Sequence, residues 1–104
     1  MLVVNRFRAA VDEAAALRSG LETALAVLSQ QPGYVGGTLG RNVDDPELWV
    51  LQTQWEGPGA YRRALSAYDV KVTAWAVLGR AIEEPSAYEV VEPGSPTNEP
   101  RARG

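Results

Sequence analysis

Histidine and cysteine are both absent from the 104 residues. Without cysteine there is no disulfide framework, no thiol nucleophile and no thiolate for zinc or iron–sulfur centres. Without histidine there is no imidazole acid or base, no serine–histidine triad and no histidine ligand for haem or zinc. Any catalysis must draw on carboxylates, Tyr, Lys, Arg, Asn, Trp, hydroxyls or backbone dipoles. That restriction favours binding, or reactions in which the substrate supplies most of the chemistry. No metal and no cofactor is expected.

Basic residues are also few, 10 against 13 acidic ones, for a net charge of −3. With no basic stripe, neither nucleic acid nor an anionic membrane surface is an expected partner. No apolar run is long enough to span a bilayer, and MLVVNRFR lacks the n-region and long h-region of a signal peptide. A cytoplasmic location is the resulting expectation. The remaining composition, 45% apolar and 22% charged, is that of an ordinary globular domain with one modest core.

The chain is organised around Leu48–Tyr61, LWVLQTQWEGPGAY. It reads as a strand ending in Trp55, a turn through Gly57-Pro58-Gly59, and a helix with Tyr61 on its first turn. Strand side chains alternate, so Trp49, Leu51, Thr53 and Trp55 share one face. Leu48, Val50, Gln52 and Gln54 share the other. Both faces begin apolar, which predicts a central strand covered on both sides. The glutamines on the second face need partners, and a second subunit would supply them.

Leu2–Arg8 is a first strand, with Val3, Asn5 and Phe7 on one face and Leu2, Val4 and Arg6 on the other. Asn5 sits among apolar neighbours. It is either a buried amide bonded to backbone or a hydrogen bond for a substrate. Asp12–Gln31 reads as a helix with an apolar stripe of Ala14, Leu17, Leu21, Leu25 and Leu28. Gly20 in its middle suggests close packing, and Pro32-Gly33 ends it. Tyr34–Asn42 is a glycine-rich strand whose pattern fits no phosphate loop and predicts a bulge or a close backbone approach. Asp44, Asp45 and Glu47 read as a solvated turn rather than a cation site.

Pro58 suits the first position of a short helix, with Ala60–Leu65 as its body. Ser66-x-x-Asp69 has capping-box spacing, so a second helix is expected from there to about Ile82. Its inner stripe would be Tyr68, Val72, Trp75 and Leu78 or Gly79. Ser86–Glu92 is the last strand. The domain thus spans 1–92, and Pro93–Gly104, rich in Pro, Gly and charge, is expected as a flexible tail. The order strand, helix, strand, strand, helix, strand predicts an α+β, ferredoxin-like βαββαβ fold with an antiparallel four-stranded sheet. Helices cover one face of such a sheet. The apolar reverse, with Val4, Leu48 and Val50 and either Val35 and Leu39 or their alternating neighbours, predicts a homodimer.

Three segments, VNRF near the start, QPGYVGG after the first helix and LWVLQTQWEGPGAYRRAL through strand, turn and helix, resemble the antibiotic biosynthesis monooxygenase superfamily of dimeric α+β barrels. The resemblance covers about residues 2–92, and W-E-x-x-x-A-Y is its most specific piece. It implies a cofactor-independent monooxygenase that oxidises a phenolic, anthrone or quinol-like aromatic small molecule with dioxygen. In members of that kind a tryptophan at the strand end and a tyrosine six residues on form the pocket, as Trp55 and Tyr61 would here. An asparagine four residues before the tryptophan is replaced by Leu51. Asn5 on the neighbouring strand is the substitute amide.

The expected catalytic residues are therefore Trp55, Tyr61 and Asn5. The expected substrate-binding residues are Phe7, Leu51, Thr53, Tyr68, Trp75 and Arg62. The haem-degrading members also resemble the chain at Asn5, but their tryptophan and histidine fall near Ala64 and Ala74, so that activity is disfavoured. Quinol-oxidising and signal-turnover members usually draw on a histidine as well. The rival reading is a non-catalytic ligand-binding module with the same barrel. On residue pattern alone, Trp55 and Tyr61 also suit plain core packing.

Overall fold

The structure, a computed structural model, describes residues 1–94, 96 and 97. Seven elements of regular structure follow in order: β1 (Leu2–Arg8), α1 (Ala14–Leu28), β2 (Tyr34–Arg41), β3 (Leu48–Trp55), α2 (Pro58–Ser66), α3 (Tyr68–Leu78) and β4 (Ala87–Tyr88). A 3-10 turn over Val11–Glu13 leads into α1. The sheet runs β2-β3-β1-β4, and every neighbouring pair is antiparallel. This is the α+β ferredoxin-like architecture expected from the order of elements. The tail expected at 93–104 lies outside the described residues, apart from Pro93, Gly94, Pro96 and Thr97.

Alternation along β1 and β3 sets the core. Val3, Phe7, Trp49, Leu51, Thr53 and Trp55 are all buried on the face covered by helices. In register, Phe7 lies opposite Trp49, Asn5 opposite Leu51 and Val3 opposite Thr53. The reverse face carries Leu2, Val4, Leu48 and Val50, each half-buried. Leu39 pairs with Leu51 and so belongs to the covered side, leaving Gly36, Thr38 and Gly40 on the open one. The bulge expected in β2 falls between Tyr34 and Gly36.

Helix α1 buries Leu17, Leu21, Ala24 and Leu28, and Leu25 packs against them from the edge. It lies against α3. A Cβ added at Gly20 would sit 3.2 Å from Val77 Cγ2, so the two helix backbones come close there. That approach selects the inner stripe of α3. Val70 and Ala74 are fully buried and Val77 partly so. Of the expected inner stripe, Tyr68, Val72 and Trp75 stand on the outer side, 75%, 63% and 50% exposed, and Leu78 packs partly buried against the core. Between closely spaced helices only small side chains fit, and the large rings are turned outward.

Several boundaries also differ from expectation, and α1, expected over Asp12–Gln31, is Ala14–Leu28. The cap of α3 is Ala67, not Ser66, whose hydroxyl donates to the Arg62 carbonyl one turn back. The capping box is therefore not formed. Helix α3 stops at Leu78 because the chain then turns to the edge of β1, where Ile82 N–H donates to Arg6 O at 2.7 Å. The last strand is only Ala87–Tyr88. Its neighbour β1 begins at Leu2, the partner of Tyr88, so Val90 and Val91 run on past its end. A paired Arg6–Glu84 side-chain bridge at 2.6 and 2.9 Å closes the same edge.

After α1 the chain reverses at Pro32-Gly33. Gly33 has φ of +89°, a left-handed conformation open to glycine, and a Cβ there would overlap the Ala60 Cβ. Glu56 N–H donates to the Gly33 carbonyl at 2.8 Å. This tight junction sets the height of α2, the helix that carries Tyr61. In the turn before β3, Asn42 Oδ1 accepts from the Asp44 and Asp45 N–H groups, and Arg8 pairs with Asp45.

Candidate functional site

Asn5 from the middle of β1 and Tyr61 from the first turns of α2 meet at one cavity of about 340 Å³. Its other walls are Leu65, Trp75, Leu78 and Gly79. The Asn5 side chain and the Tyr61 phenol both border this cavity. Burial pushes the Tyr61 pKa above its ordinary value, and the nearby Asn5 amide offsets only part of that rise. Tyr61 is therefore a neutral O–H donor at physiological pH, not a phenolate base. Of the two readings of Asn5, the structure gives the amide a place at the cavity wall and, among the described residues, no backbone hydrogen bond.

Trp55 lies behind Tyr61. Its ring centroid is 5.6 Å from that of Tyr61 and 5.5 Å from that of Tyr34, the latter edge-on. It is 2% exposed, and its indole N–H donates to Thr53 Oγ1 at 2.9 Å. The N–H expected to face a substrate is thus engaged within the strand. Residues two apart share a strand face, so this pairing follows from the pleat. Trp55 supports Tyr61 from the core and does not line the cavity.

The other expected site residues divide. Trp75 lines the cavity with Asn5 and Tyr61. Phe7, Leu51 and Thr53, expected at the ligand, are 0%, 1% and 2% exposed in the packed core. Leu51 is the register partner of Asn5 and walls its flank from within. Tyr68, exposed on α3, does not border the cavity. Arg62 borders a different cleft of about 800 Å³ with Met1, Glu56, Pro58, Tyr88 and Val90. It follows Tyr61 on a helix, where each residue turns by about 100°, so the two cannot share a face.

Leu65 and the cavity role of Leu78 and Gly79 were not expected. The signal was present, since Leu65 follows Tyr61 by four and Gly79 follows Trp75 by four, the spacing of neighbours on one helix face. Among the described residues no cluster of His, Cys, Asp or Glu is suited to hold a metal ion. No described helix is long and apolar enough to cross a membrane.

Taken together, the chain is a ferredoxin-like α+β domain with a cavity bordered by β1, α2 and α3. The profile of the antibiotic biosynthesis monooxygenase family matches residues 1–74, and the chain belongs to that family. Among solved structures it is similar to SnoaB, a cofactor-independent oxygenase from Streptomyces nogalater, in a mutant form. The identity is 30%, with 78% of this chain and 82% of that one covered at a TM-score of 0.68. Rv0793 from Mycobacterium tuberculosis shares the fold at 20% identity and a TM-score of 0.70, covering 90% of this chain and 97% of that one. PA3566 from Pseudomonas aeruginosa does so at 17% identity and 0.66, covering 86% and 93%. No curated protein sequence matches the chain closely enough to add to these.

Proposed function

We propose that the chain is a cofactor-independent monooxygenase that oxidises a phenolic, anthrone or quinol-like small molecule with dioxygen. The observation that carries this reading is the meeting of Asn5 and Tyr61 at one otherwise apolar cavity. An electron-rich aromatic, once it loses a proton, passes an electron to dioxygen itself. The protein's part is to position the ring, exclude water and stabilise the oxygen that gains charge. Tyr61 O–H and the Asn5 amide are the donors for that oxygen, and Trp55 holds Tyr61 in place. For an anthrone the ring CH₂ becomes C=O. One atom of dioxygen enters the product, and the other leaves as water with the two hydrogens lost from carbon.

Family membership and the likeness to an oxygenase at 30% identity support the chemistry. The rival reading, a pocket that binds without turnover, draws on Leu51 at the position beside Asn5 and on the engaged Trp55 N–H. Oxygen uptake by the purified, metal-free protein with a panel of anthrones and hydroquinones separates the two. Tyr61→Phe is expected to lower kcat by about 100-fold, the usual loss for one oxyanion donor. A rate indifferent to Tyr61→Phe and Asn5→Ala would remove the assigned roles.

On the same reading the working form is a homodimer in the cytoplasm. The half-buried Leu2, Val4, Leu48 and Val50 continue into the exposed edge residues Tyr88, Val90 and Val91, and a second copy would cover them. Light scattering at micromolar concentration reads the mass directly, and a single-chain mass would remove the dimer.

A further inference from the structure

Of the three tryptophans, Trp49 and Trp55 are 6% and 2% exposed, whereas Trp75 is 50% exposed. The exposed ring is nevertheless held. Its indole N–H donates to the Leu65 carbonyl at 2.9 Å, tying α3 to α2, and Lys71 Nζ stands 5.3 Å from the ring centroid. Leu65 and Trp75 both border the cavity of Asn5 and Tyr61. With its N–H engaged, Trp75 has no polar group left to present to a ligand, and Lys71 occupies one face of the ring. The polar handles of the cavity are Asn5 and Tyr61.

We propose that Trp75 is a stacking platform that makes this cavity selective for planar aromatic ligands carrying a ring oxygen. The inference rests on the function proposed above and adds to it the residue that selects the flat ring. The ligand ring lies against the indole while its hydroxyl or carbonyl oxygen accepts from Tyr61 and Asn5. Offset stacking rewards a flat π system over a saturated ring of equal size and equal polarity. Selection is thus divided between two elements: α2 and β1 read the oxygen, and α3 reads the flatness.

The test compares 1-naphthol with its saturated counterpart decahydro-1-naphthol, using the full chain labelled with ¹⁵N. Indole N–H resonances, assigned by single tryptophan variants, report the site without any turnover. The Trp75 resonance is expected to move upfield with 1-naphthol through the ring current, and the Trp49 resonance to stay in place. Trp75→Leu is expected to weaken 1-naphthol about tenfold, equivalent to about 1.4 kcal/mol, and to leave decahydro-1-naphthol unchanged. Trp75→Phe, which keeps a ring, should stay within about threefold of the parent. Equal binding of the two alcohols, or Trp75→Leu binding 1-naphthol as the parent does, overturns the platform. If Tyr61→Phe still weakens both alcohols in that case, the donor pair survives. If 1-naphthol moves no resonance, the platform is refuted, and oxygen uptake by the anthrone panel decides separately whether the pocket is catalytic.

Discussion

Gly33→Ala is the substitution by which the structure is most sharply tested. Two costs are separable. The backbone at Gly33 has φ of +89°, and an L-residue in the left-handed region costs roughly 1–2 kcal/mol. The new Cβ would also overlap the Ala60 Cβ, a buried methyl near the start of α2. Relief requires a shift of β2 or α2, and overpacking of this kind costs about 1–3 kcal/mol. The sum, about 2–5 kcal/mol, is a large part of the stability of a domain this size. At roughly 4–8 °C per kcal/mol it lowers Tm by about 8–40 °C. Urea denaturation of the single variants and of Gly33→Ala/Ala60→Gly isolates the contact. Ala60→Gly alone should cost about 1 kcal/mol, whereas in the Gly33→Ala background it should be neutral or stabilising. Strict additivity of the two changes, or a Gly33→Ala loss below about 1 kcal/mol, would show that the junction between β2 and α2 is not as tight as described. Because Ala60 precedes Tyr61, the same variant should also weaken ligand binding at the Asn5–Tyr61 pair.

Thr53→Val strands the Trp55 indole N–H in the core and should cost about 1–3 kcal/mol in urea unfolding, while Thr53→Ser, which keeps the acceptor, should cost much less. Leu21, fully buried under α3, should lose about 2–5 kcal/mol on Leu21→Ala by the same assay. Stability should fall at both ends of the pH scale. The Glu47 backbone N–H and then Arg8 hold the Asp45 pKa low, and Arg6 does so for Glu84. Their contribution is therefore present above the ordinary carboxylate range and is lost as pH drops through and below it. Tyr61 works in the opposite sense. Its raised pKa favours the folded state below about pH 10, and that contribution is lost as pH rises further. Thermal melts of Tyr61→Phe should be less sensitive on the alkaline side, and those of Glu84→Gln less sensitive on the acid side.

Short-range regularities carried much of this protein. The alternation in LVVNRFR and LWVLQTQW specifies which side chains of β1 and β3 enter the core, because a pleated strand has only two faces. The leucine stripe of α1 and the order of elements then leave few topologies other than the split βαβ. Helix α3 is different. It is apolar almost all round (Val70, Val72, Ala74, Trp75, Ala76, Val77, Leu78), so periodicity has no face to choose. The close passage of α1 at Gly20 made the choice, admitting Val70 and Ala74 and expelling Tyr68 and Trp75. The site divides in the same way. That Asn5 needed a partner was legible in the chain, since an amide among strand hydrophobics must be satisfied. That it meets Tyr61 at one cavity, that Trp75 borders the same cavity, and that Arg62 faces another cleft depended on how α2 is seated over the sheet, which no local pattern encodes.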